Sequence, residues 1–431
     1  MSEYIFSIDQ GTTGSTVLII NVTDQSSPVV SGSATVDFEQ HYPKSGWVEH
    51  DLDQIWASVT FAARKAIENA SARDNDFAVT NIKAVGITNQ RETFCIYDRS
   101  TLRPLHKAIV WQCRRSSEIC QRLKGDGFEQ TFKDKTGLVL DPYFSGTKFT
   151  WLLENNVDLK KAYESGTAIV GTIDTFLVSK LTAGLSHVTE ASNASRTLMY
   201  NINTGSWDDE LLKALHIPHK DGLPEVKDSS GIFGYTKSIE FLQDGIAISG
   251  ILGDQQAALV GQACFEKGEA KCTYGTGAFM LVNTGSEPKT SNHGLLTTVA
   301  WQLDGRRVYA LEGASFIAGA AVQFVRDQLG FLTDSAESEK MAEAVQASPD
   351  LYFVPALAGL GSPHWDPHAR GAFMGMTRGT TKEALVKATL EGIAFSVNEL
   401  ALAMSSDLGA QFSVMRIDGG ASANDLMIQF Q

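Results

Sequence analysis

The sequence lacks paired cysteines, an excess of basic residues and any long apolar run. None of its five cysteines forms a Cys-x-x-Cys pair, which favours reduced thiols in the cytoplasm over the disulfide framework of a secreted protein. Lys and Arg number 36 against 50 Asp and Glu, and the formal net charge of −14 argues against nucleic acid as a partner. No stretch approaches the roughly 20 apolar residues that span a bilayer, and the first residues lack a signal-peptide pattern. We therefore expect a soluble cytoplasmic protein with no membrane span.

Proline is also scarce, with 11 residues against 38 glycines, whereas strand and helix patterns alternate along all 431 residues. Residues 4–8, 17–22 and 82–88 are rich in apolar and β-branched side chains, which is typical of strands. Residues 382–404 carry apolar side chains at helical spacing, and another helix is predicted after Asp51. This alternation predicts an α/β fold, and the length predicts two or three domains at about 150 residues each.

A short pattern occurs twice in the sequence. A Gly-Thr turn lies between two strand patterns at residues 9–14, and a similar turn at residues 274–277 precedes another strand pattern. The repetition indicates two related domains that face each other across a cleft, which is a common place for a ligand. We place the boundary between Ser249 and Gly250, which predicts domains at residues 1–249 and 250–431.

The first of these turns has the composition of a phosphate-binding loop. Glycines let main-chain N–H groups approach an anion, and the hydroxyls of Thr12 and Thr13 add donors. Asp9 could hold Mg²⁺, directly or through water, because hard cations take oxygen ligands. The alternative is an ordinary hairpin turn with a capping Asp. The GxxxxGK[ST] motif and the protein-kinase motifs are absent from the sequence, so a nucleotide would need another cradle.

Two polar pairs follow strand patterns. Arg91 and Glu92 offer donors and an acceptor to a small polyhydroxy ligand, although a surface ion pair would have the same sequence. Asp254 precedes a predicted helix, where Asp is a common N-cap. It could equally be a general base that removes a hydroxyl proton, with Gln255 adding a hydrogen bond. The residues themselves leave both interpretations open.

Two further features also have two interpretations each. Trp111 lies beside basic residues and could contact a ligand or pack in the core. Gly419 and Gly420 follow a strand pattern and could let the main chain lie against a nucleoside, or could serve tight packing. The histidines show no metal-ligand spacing, so no histidine metal site is predicted.

Taken together, seven motifs in a fixed order resemble the FGGY carbohydrate-kinase family, and within it the members that phosphorylate glycerol. The resemblance extends from residue 4 to residue 431. The motifs are DQGTT at residues 9–13, NQRET at 89–93, GDQQA at 253–257, YGTG at 274–277, LEGA at 311–314, GLGSPHWDP at 359–367 and DGG at 418–420. Several of them are generic individually, but the ordered set is specific.

The resemblance implies a fold, a reaction and a set of partners. The implied fold is two ribonuclease-H-like domains of the actin-like ATPase superfamily with a central cleft. The implied reaction is Mg²⁺-dependent transfer of the γ-phosphoryl group of ATP to glycerol, which gives sn-glycerol 3-phosphate and ADP. The implied partners are glycerol and ATP/ADP, and the implied assembly is a homodimer or homotetramer.

The resemblance also implies roles position by position. Asp254 would be the catalytic base, and Asp9 would hold Mg²⁺ through water. The implied glycerol-binding residues are Arg91, Glu92, Trp111, Tyr143, Asp254, Gln255 and Phe279. The implied nucleotide-binding residues are Thr12, Thr13, Gly14, Thr276, Gly319, Gln323, Gly420 and Asn424.

Two of the departures from the family pattern bear on nucleotide binding and on the C-terminal domain. The family has an Arg where this sequence has Thr16, which predicts one phosphate contact fewer and weaker nucleotide binding. Family members continue beyond the position of Gln431, so we expect an incomplete C-terminal domain. Two alternatives stay open: a kinase of another polyol or ketose, and a non-catalytic nucleotide-dependent protein like actin. The Asp254–Gln255 pair argues against the second alternative.

Overall fold

The computed structural model describes residues 2–345, 350–412 and 414–431. The chain forms two compact units. The first comprises the chain up to Ala257 together with Thr298–Arg307, and the second comprises Ala258–Thr297 and Val308–Gln431. The predicted α/β architecture with two domains is confirmed. The predicted boundary, however, lies inside a strand of the first unit, so that unit extends further along the chain than the sequence patterns indicate.

The helices and strands alternate along the chain. The strands are β1 (Tyr4–Gln10), β2 (Gly14–Asn21), β3 (Val29–Asp37), β4 (Glu49–His50), β5 (Ile82–Asn89), β6 (Cys95–Asp98), β7 (Ala108–Ile109), β8 (Ala168–Gly171), β9 (Val188–Glu190), β10 (Tyr200–Asn201), β11 (Ser206–Trp207), β12 (Glu225–Lys227), β13 (Ser230–Tyr235), β14 (Ala247–Gly253), β15 (Ala270–Tyr274), β16 (Ala278–Gly285), β17 (Leu296–Leu303), β18 (Arg306–Ser315), β19 (Tyr352–Val354), β20 (Ala372–Met374) and β21 (Met415–Asp418). The helices are α1 (Leu52–Arg73), α2 (Ser117–Gly125), α3 (Glu129–Thr136), α4 (Ser145–Asn155), α5 (Val157–Glu164), α6 (Ile173–Leu181), α7 (Ala191–Ala194), α8 (Asp209–Ala214), α9 (Asp254–Gly261), α10 (Gly319–Asp327), α11 (Glu337–Glu343), α12 (Lys382–Leu408) and α13 (Asp425–Phe430).

The first unit is built on a six-stranded sheet in the order β13-β14-β5-β1-β2-β3. Strands β1, β5 and β14 are parallel to one another, whereas β2, β3 and β13 run antiparallel to their neighbours. Helices α1 and α6 contribute apolar side chains to the core beside this sheet. Because the three parallel strands end at the same edge, the residues that follow them are brought together.

Helix α1 shows why this packing follows from the sequence. The Asp51 side chain accepts hydrogen bonds from the first main-chain N–H groups of the helix and so forms its N-cap. The buried side chains of the helix are mainly apolar, and they include Ala66 and Ala70. A Cβ at Gly32 of β3 would lie 2.3 Å from the Ala66 carbonyl oxygen, so only glycine allows the helix to approach the strand this closely.

The second unit contains four neighbouring strands in the order β18-β16-β15-β21. Strand β15 pairs antiparallel with β16 and parallel with β21. In the first unit β1 pairs in the same way, antiparallel with β2 and parallel with β5. The repeated Gly-Thr turn therefore occupies the same place in both sheets, between the first two strands. Helix α12 packs its apolar face into the core of this unit, over the range that its periodicity predicts and four residues beyond.

The first unit is discontinuous in sequence, because Thr298–Arg307 completes it. Gln302 donates its main-chain N–H to Ser229 Oγ at 2.9 Å and its side-chain amide to Asp228 Oδ1 at 2.6 Å. The Thr298 hydroxyl lies 2.9 Å from Ser195 Oγ and accepts from Gln256 Nε2 at 3.2 Å. No helix within the described parts of the chain is long and apolar enough to cross a bilayer.

Candidate active site

The predicted polar residues of the first unit lie at the carboxyl ends of its three parallel strands. In the sheet, Gln10 of β1 lies opposite Asn89 of β5, and Asn89 lies opposite Gly253 of β14. Arg91 comes two residues after the end of β5, and Asp254 follows β14 as the first residue of α9. The motifs that are far apart in the sequence are therefore adjacent at one edge of the sheet.

Arg91 links the ends of β5 and β14 through an ion pair with Asp254. Its side chain is 2% exposed, and its Nε lies 3.2 Å from Asp254 Oδ1. Its Nη1 donates to Gln256 Oε1 at 3.2 Å. A Cβ at Gly253 would lie 2.8 Å from Cγ and Cδ of Arg91, so glycine is required where the arginine crosses the strand. The Asp254 carboxylate is 35% exposed and can therefore reach both Arg91 and a ligand.

Glu92 is held in a conformation that few residues other than glycine adopt, with φ of 60°. Its side chain is 2% exposed, which rules out the surface ion pair with Arg91 that the sequence left open. Glu92 Oε1 accepts from Arg196 Nε at 2.6 Å, and the Arg196 guanidinium lies 5.7 Å from the Tyr143 ring centre. The Glu92 carbonyl oxygen accepts from Ser145 Oγ at 3.0 Å. Two buried side chains thus fix both ends of this glutamate.

Lys148 supports the same region from α4. Its ammonium group donates to the carbonyl oxygens of Tyr143 and Glu92. Complete burial lowers the pKa of Lys148 to about 7, although the nearby Glu92 carboxylate favours the charged form. This lysine therefore ties the main chain of two predicted glycerol-binding residues together.

Trp111 and Tyr143 form an aromatic pair next to the first Gly-Thr turn. Their ring centres are 5.6 Å apart with an interplanar angle of 80°, an edge-to-face arrangement. Trp111 is partly exposed, and its indole N–H donates to Thr12 Oγ1 at 2.9 Å. The tryptophan is therefore not a simple core residue, because it connects the turn to the aromatic pair.

The first turn is tight and carries a carboxylate at its entrance. The Gly11 N–H donates to the Gly14 carbonyl oxygen at 2.9 Å, and a Cβ at Gly14 would lie 2.7 Å from Asp37 Oδ1. Solvent reaches the Asp9 side chain, yet partial burial, with the Asp254 carboxylate as the second cause, raises the pKa of Asp9 to about 6. The Asp9 carboxylate is a suitable oxygen donor for a hard cation such as Mg²⁺. Among the described residues, no three His, Cys, Asp or Glu side chains converge as metal ligands.

The second unit contains a cavity of about 410 Å³ beside its own Gly-Thr turn. Five of the predicted nucleotide-binding residues line it, namely Thr276, Gly319, Gln323, Gly420 and Asn424. Main-chain groups of two glycines lie close together beside it. The Gly319 N–H donates to the Gly275 carbonyl oxygen at 3.0 Å, and a Cβ at Gly319 would lie 2.6 Å from that oxygen. The Asn424 side chain caps α13 by accepting from the Met427 N–H at 2.9 Å.

The remaining predicted residues lie in different parts of the chain. Gln255 is buried next to Asp254 and donates its main-chain N–H to Asp254 Oδ1 at 2.7 Å. Phe279 lies in β16 of the second unit. Thr12, Thr13 and Gly14 lie in or at the end of the first turn, in the first unit. Their roles stay predictions.

Sequence reasoning missed three residues that hold this site, Arg196, Gln256 and Lys148. Arg196 had one usable signal, because it is the only Lys or Arg between Lys180 and Lys213 in the sequence. Gln256 directly follows a pair that the sequence did single out. Lys148 sits within the first turns of α4 and had no distinguishing pattern.

The chain matches one protein family along its length and is similar to individual relatives. The N-terminal-domain model of the FGGY family of carbohydrate kinases matches residues 4–261, and the C-terminal-domain model matches residues 270–431. A glycerol kinase of Staphylococcus haemolyticus is 50% identical over 431 residues, which cover 100% of this chain and 84% of that protein. A glycerol kinase of Myxococcus xanthus is 51% identical, with 100% and 85% covered.

Solved structures show the same relationship. The crystal structure of Plasmodium falciparum glycerol kinase with ADP has a TM-score of 0.89 and 37% identity, and covers 100% of this chain and 84% of that one. A gluconate kinase of Lactobacillus acidophilus has a TM-score of 0.85 at 23% identity, with 100% and 84% covered. At that identity the second likeness shows the fold alone.

Proposed function

Because the chain belongs to the FGGY family of carbohydrate kinases, we propose that it transfers the γ-phosphoryl group of ATP to glycerol, giving sn-glycerol 3-phosphate and ADP. Glycerol kinases that are 50% identical over the whole of this chain support glycerol as the substrate. The observation that carries the proposal is the polar cluster formed by Arg91, Glu92 and Asp254 at the strand ends of the first unit.

This cluster suits a small triol. The guanidinium of Arg91 and the carboxylates of Glu92 and Asp254 offer donors and acceptors whose directions are fixed by their contacts with one another. A site built to hydrogen-bond hydroxyls strongly disfavours analogues that leave those groups unpaired. The edge-to-face pair of Trp111 and Tyr143 offers apolar surface for a carbon chain. Phe279 and Gln255 are proposed to complete the glycerol contacts.

Asp254 is proposed as the general base. As the terminal hydroxyl oxygen of glycerol forms a bond to the γ-phosphorus, the bond from that phosphorus to the bridging oxygen of ADP breaks. The hydroxyl proton passes to a carboxylate oxygen of Asp254, which is exposed enough to reach a ligand. Arg91, with its Nε 3.2 Å from Oδ1, orients this carboxylate to accept the proton.

The nucleotide is proposed to bind in the cavity of the second unit, through the five predicted residues that line it. The solved relative with bound ADP supports ATP as the phosphoryl donor. We keep the phosphate contacts proposed for Thr12, Thr13 and Gly14. Asp9 is the residue proposed to hold Mg²⁺, through water. When bound, this ion would neutralise negative charge on the phosphates.

The proposal also includes the cellular location and the oligomeric state of the protein. We propose a cytoplasmic location, because all five cysteines are buried free thiols. We propose a homodimer or homotetramer, which sedimentation of the purified protein at several concentrations would test.

A coupled ADP-release assay with ATP and Mg²⁺ tests the proposed reaction. Glycerol is compared with dihydroxyacetone, erythritol, xylulose and gluconate, and the product is identified by mass. We expect glycerol to stimulate ADP release more than any other compound and to become glycerol 3-phosphate. Preferred turnover of a larger sugar would retain the family and reject the substrate. ADP release that no polyol stimulates would reject the proposed function.

A further inference from the structure

A single turn of helix, α7, contacts the ends of both strands that carry the proposed site. The side-chain amides of Asn193 and Asn89 bond to each other, at 2.9 Å and 3.2 Å, where β5 ends. One residue earlier, Ser192 Oγ accepts the main-chain N–H of Gly253 at 3.0 Å, where β14 ends. Asn89 and Gly253 are direct partners in the sheet. Helix α7 therefore fixes two adjacent strand ends at once.

A buried carboxylate holds the N-terminus of this helix by hydrogen bonds. Glu190 caps α7, with Oε2 accepting from the Ser192 hydroxyl at 2.5 Å, the Ser192 N–H at 2.7 Å and the Asn193 N–H at 3.2 Å. Its other oxygen accepts from the Ser229 hydroxyl at 2.5 Å. Burial raises the pKa of Glu190 to about 7, and these donors act in the opposite direction because they favour the charged form.

The directions of these hydrogen bonds determine which groups the Ser192 hydroxyl can bind. A serine hydroxyl has one proton, and in Ser192 that proton goes to Glu190. The oxygen must therefore present a lone pair elsewhere, and it presents it to the N–H of Gly253. Asp254 is the next residue along the chain. The glutamate thus determines, through one hydroxyl, where the main chain turns from β14 into α9.

We propose that Glu190 is a positioning residue for phosphoryl transfer: through Ser192 and Asn193 it holds Asp254 and Arg91 in their mutual geometry. This inference rests on the proposed function, because it needs Asp254 to act as the base. Glu190 itself is fully buried behind the strand ends. Displacing a catalytic group by about 1 Å can lower a rate by about 100-fold.

Ser192→Ala tests the proposal, and Ser229→Ala is its matched control. Each change removes one buried hydroxyl that lies 2.5 Å from Glu190, and each hydroxyl also accepts one main-chain N–H. That N–H belongs to Gly253 for Ser192 and to Gln302 for Ser229. The loss of packing and of hydrogen bonds is therefore similar, and only Ser192 leads to Asp254. We expect Ser192→Ala to lower kcat by about 10- to 100-fold, and Ser229→Ala by no more than about threefold.

A double-mutant cycle separates positioning from general destabilisation. In an Asp254→Asn background, measured by single-turnover kinetics, we expect Ser192→Ala to have little further effect, since residues that act as a unit are not additive. An equal effect of Ser192→Ala in both backgrounds would overturn the proposal. So would equal losses in Ser192→Ala and Ser229→Ala.

A second variant covers the case in which Ser192→Ala does not fold. Ser192→Cys keeps a similar volume with a weaker acceptor, so we expect a kcat between those of wild type and Ser192→Ala or, if only Ser192→Cys folds, one clearly below wild type. Wild-type kcat in folded Ser192→Cys would contradict the proposal. Each variant is assayed with the substrate on which the wild type is most active. A wild type that is active only on another polyol therefore rejects glycerol without deciding the role of Glu190.

Discussion

The candidate sites of the two units consist of different kinds of residue. In the first unit, charged side chains that are almost fully buried hold one another, as Arg91, Glu92 and Arg196 do. In the second unit, most of the residues that line the cavity are small, including Gly319 and Gly420, and larger side chains such as Leu390 and Met427 complete the lining. One site is specified by what its charged side chains donate and accept, and the other by the space that its many small residues leave.

This difference determines how each site can be damaged. A buried charge loses its partner when either member of a pair is removed, and the uncompensated group is costly. In a cavity lined largely by small residues, an added methyl group occupies the space that a ligand needs. Truncation should therefore harm the first site most, and enlargement should harm the second.

The largest effect is expected from Asp254→Asn, which keeps the shape of the side chain and removes its basicity. A general base contributes about 100- to 10,000-fold to a rate, so we expect kcat to fall within that range. ATP binding, measured by calorimetry, should be retained. Asp53→Asn, in the exposed first turn of α1, is the matched control and should keep wild-type kcat. Unchanged turnover in Asp254→Asn would contradict the proposed mechanism.

Acid is expected to act mainly on the first unit, through two buried histidines. Burial lowers the pKa of His50 to about 3 and that of His187 to about 4, from a usual value near 6.5. At a pH between the folded-state pKa and the usual value of 6.5, the unfolded chain binds more protons than the folded one. The stabilisation is therefore complete above pH 6.5 and is lost as the pH falls. At pH 5 the loss is about 2 kcal/mol for each histidine.

Denaturant unfolding at pH 7 and pH 5, followed by tryptophan fluorescence, measures this loss. His187→Gln should remove about half of the pH dependence. His216→Gln, at a side chain that is 66% exposed, should leave it unchanged. The same pH dependence in all three proteins would show that other groups control acid stability.

A smaller effect is expected from Gly420→Ala in the second unit. A Cβ at this position meets no protein atom within 4 Å and points into open space of the cavity wall. We therefore expect unchanged stability and a KM for ATP raised about tenfold, which corresponds to about 1.4 kcal/mol. Gly125→Ala, at a glycine with equally free surroundings at the end of α2, should change neither. Equal KM values in both variants would place the nucleotide elsewhere.

The smallest effect is expected from Thr16→Arg, which adds a charge to the first unit. Thr16 lies directly opposite Asp9 in the β1–β2 pair, and its hydroxyl lies 2.9 Å from Thr35 Oγ1. A cation next to the first turn should lower the KM for ATP by about 3- to 10-fold, because hydrogen bonds from charged donors to phosphate are strong. Thr35→Arg breaks the same hydroxyl pair one strand further from Asp9 and should have less effect. A lower KM in Thr35→Arg alone would contradict this interpretation.

The sequence was informative where a local pattern determines structure. The strands on both sides of the first turn, the capped helix after Asp51 and the long helix from Lys382 were all predicted, and all are present. The pairing of Arg91 with Asp254 was not visible in this way, because 163 residues separate them along the chain and only the sheet order brings them together.

The residues that support the site were hardest to predict. Glu190 and Ser192 lie in a run of small polar residues that has no periodicity, and their partners lie tens of residues away. The boundary near Ser249 was misplaced for a related reason. The sequence does not show that β14 continues through Ser249 to Gly253 and pairs with β5.

The return of Thr298–Arg307 to the first unit also has a consequence for the time course of synthesis. A ribosome adds about 5 to 20 residues each second, so the 50 residues between Ala257 and Arg307 take roughly 3 to 10 seconds. During that interval the nascent first unit has Ser229 and Gln256 without their partners at Gln302 and Thr298. A protein made from a gene cut after Gly261, where the N-terminal-domain match ends, would never acquire these partners. The first unit is finished only when part of the second has already been translated.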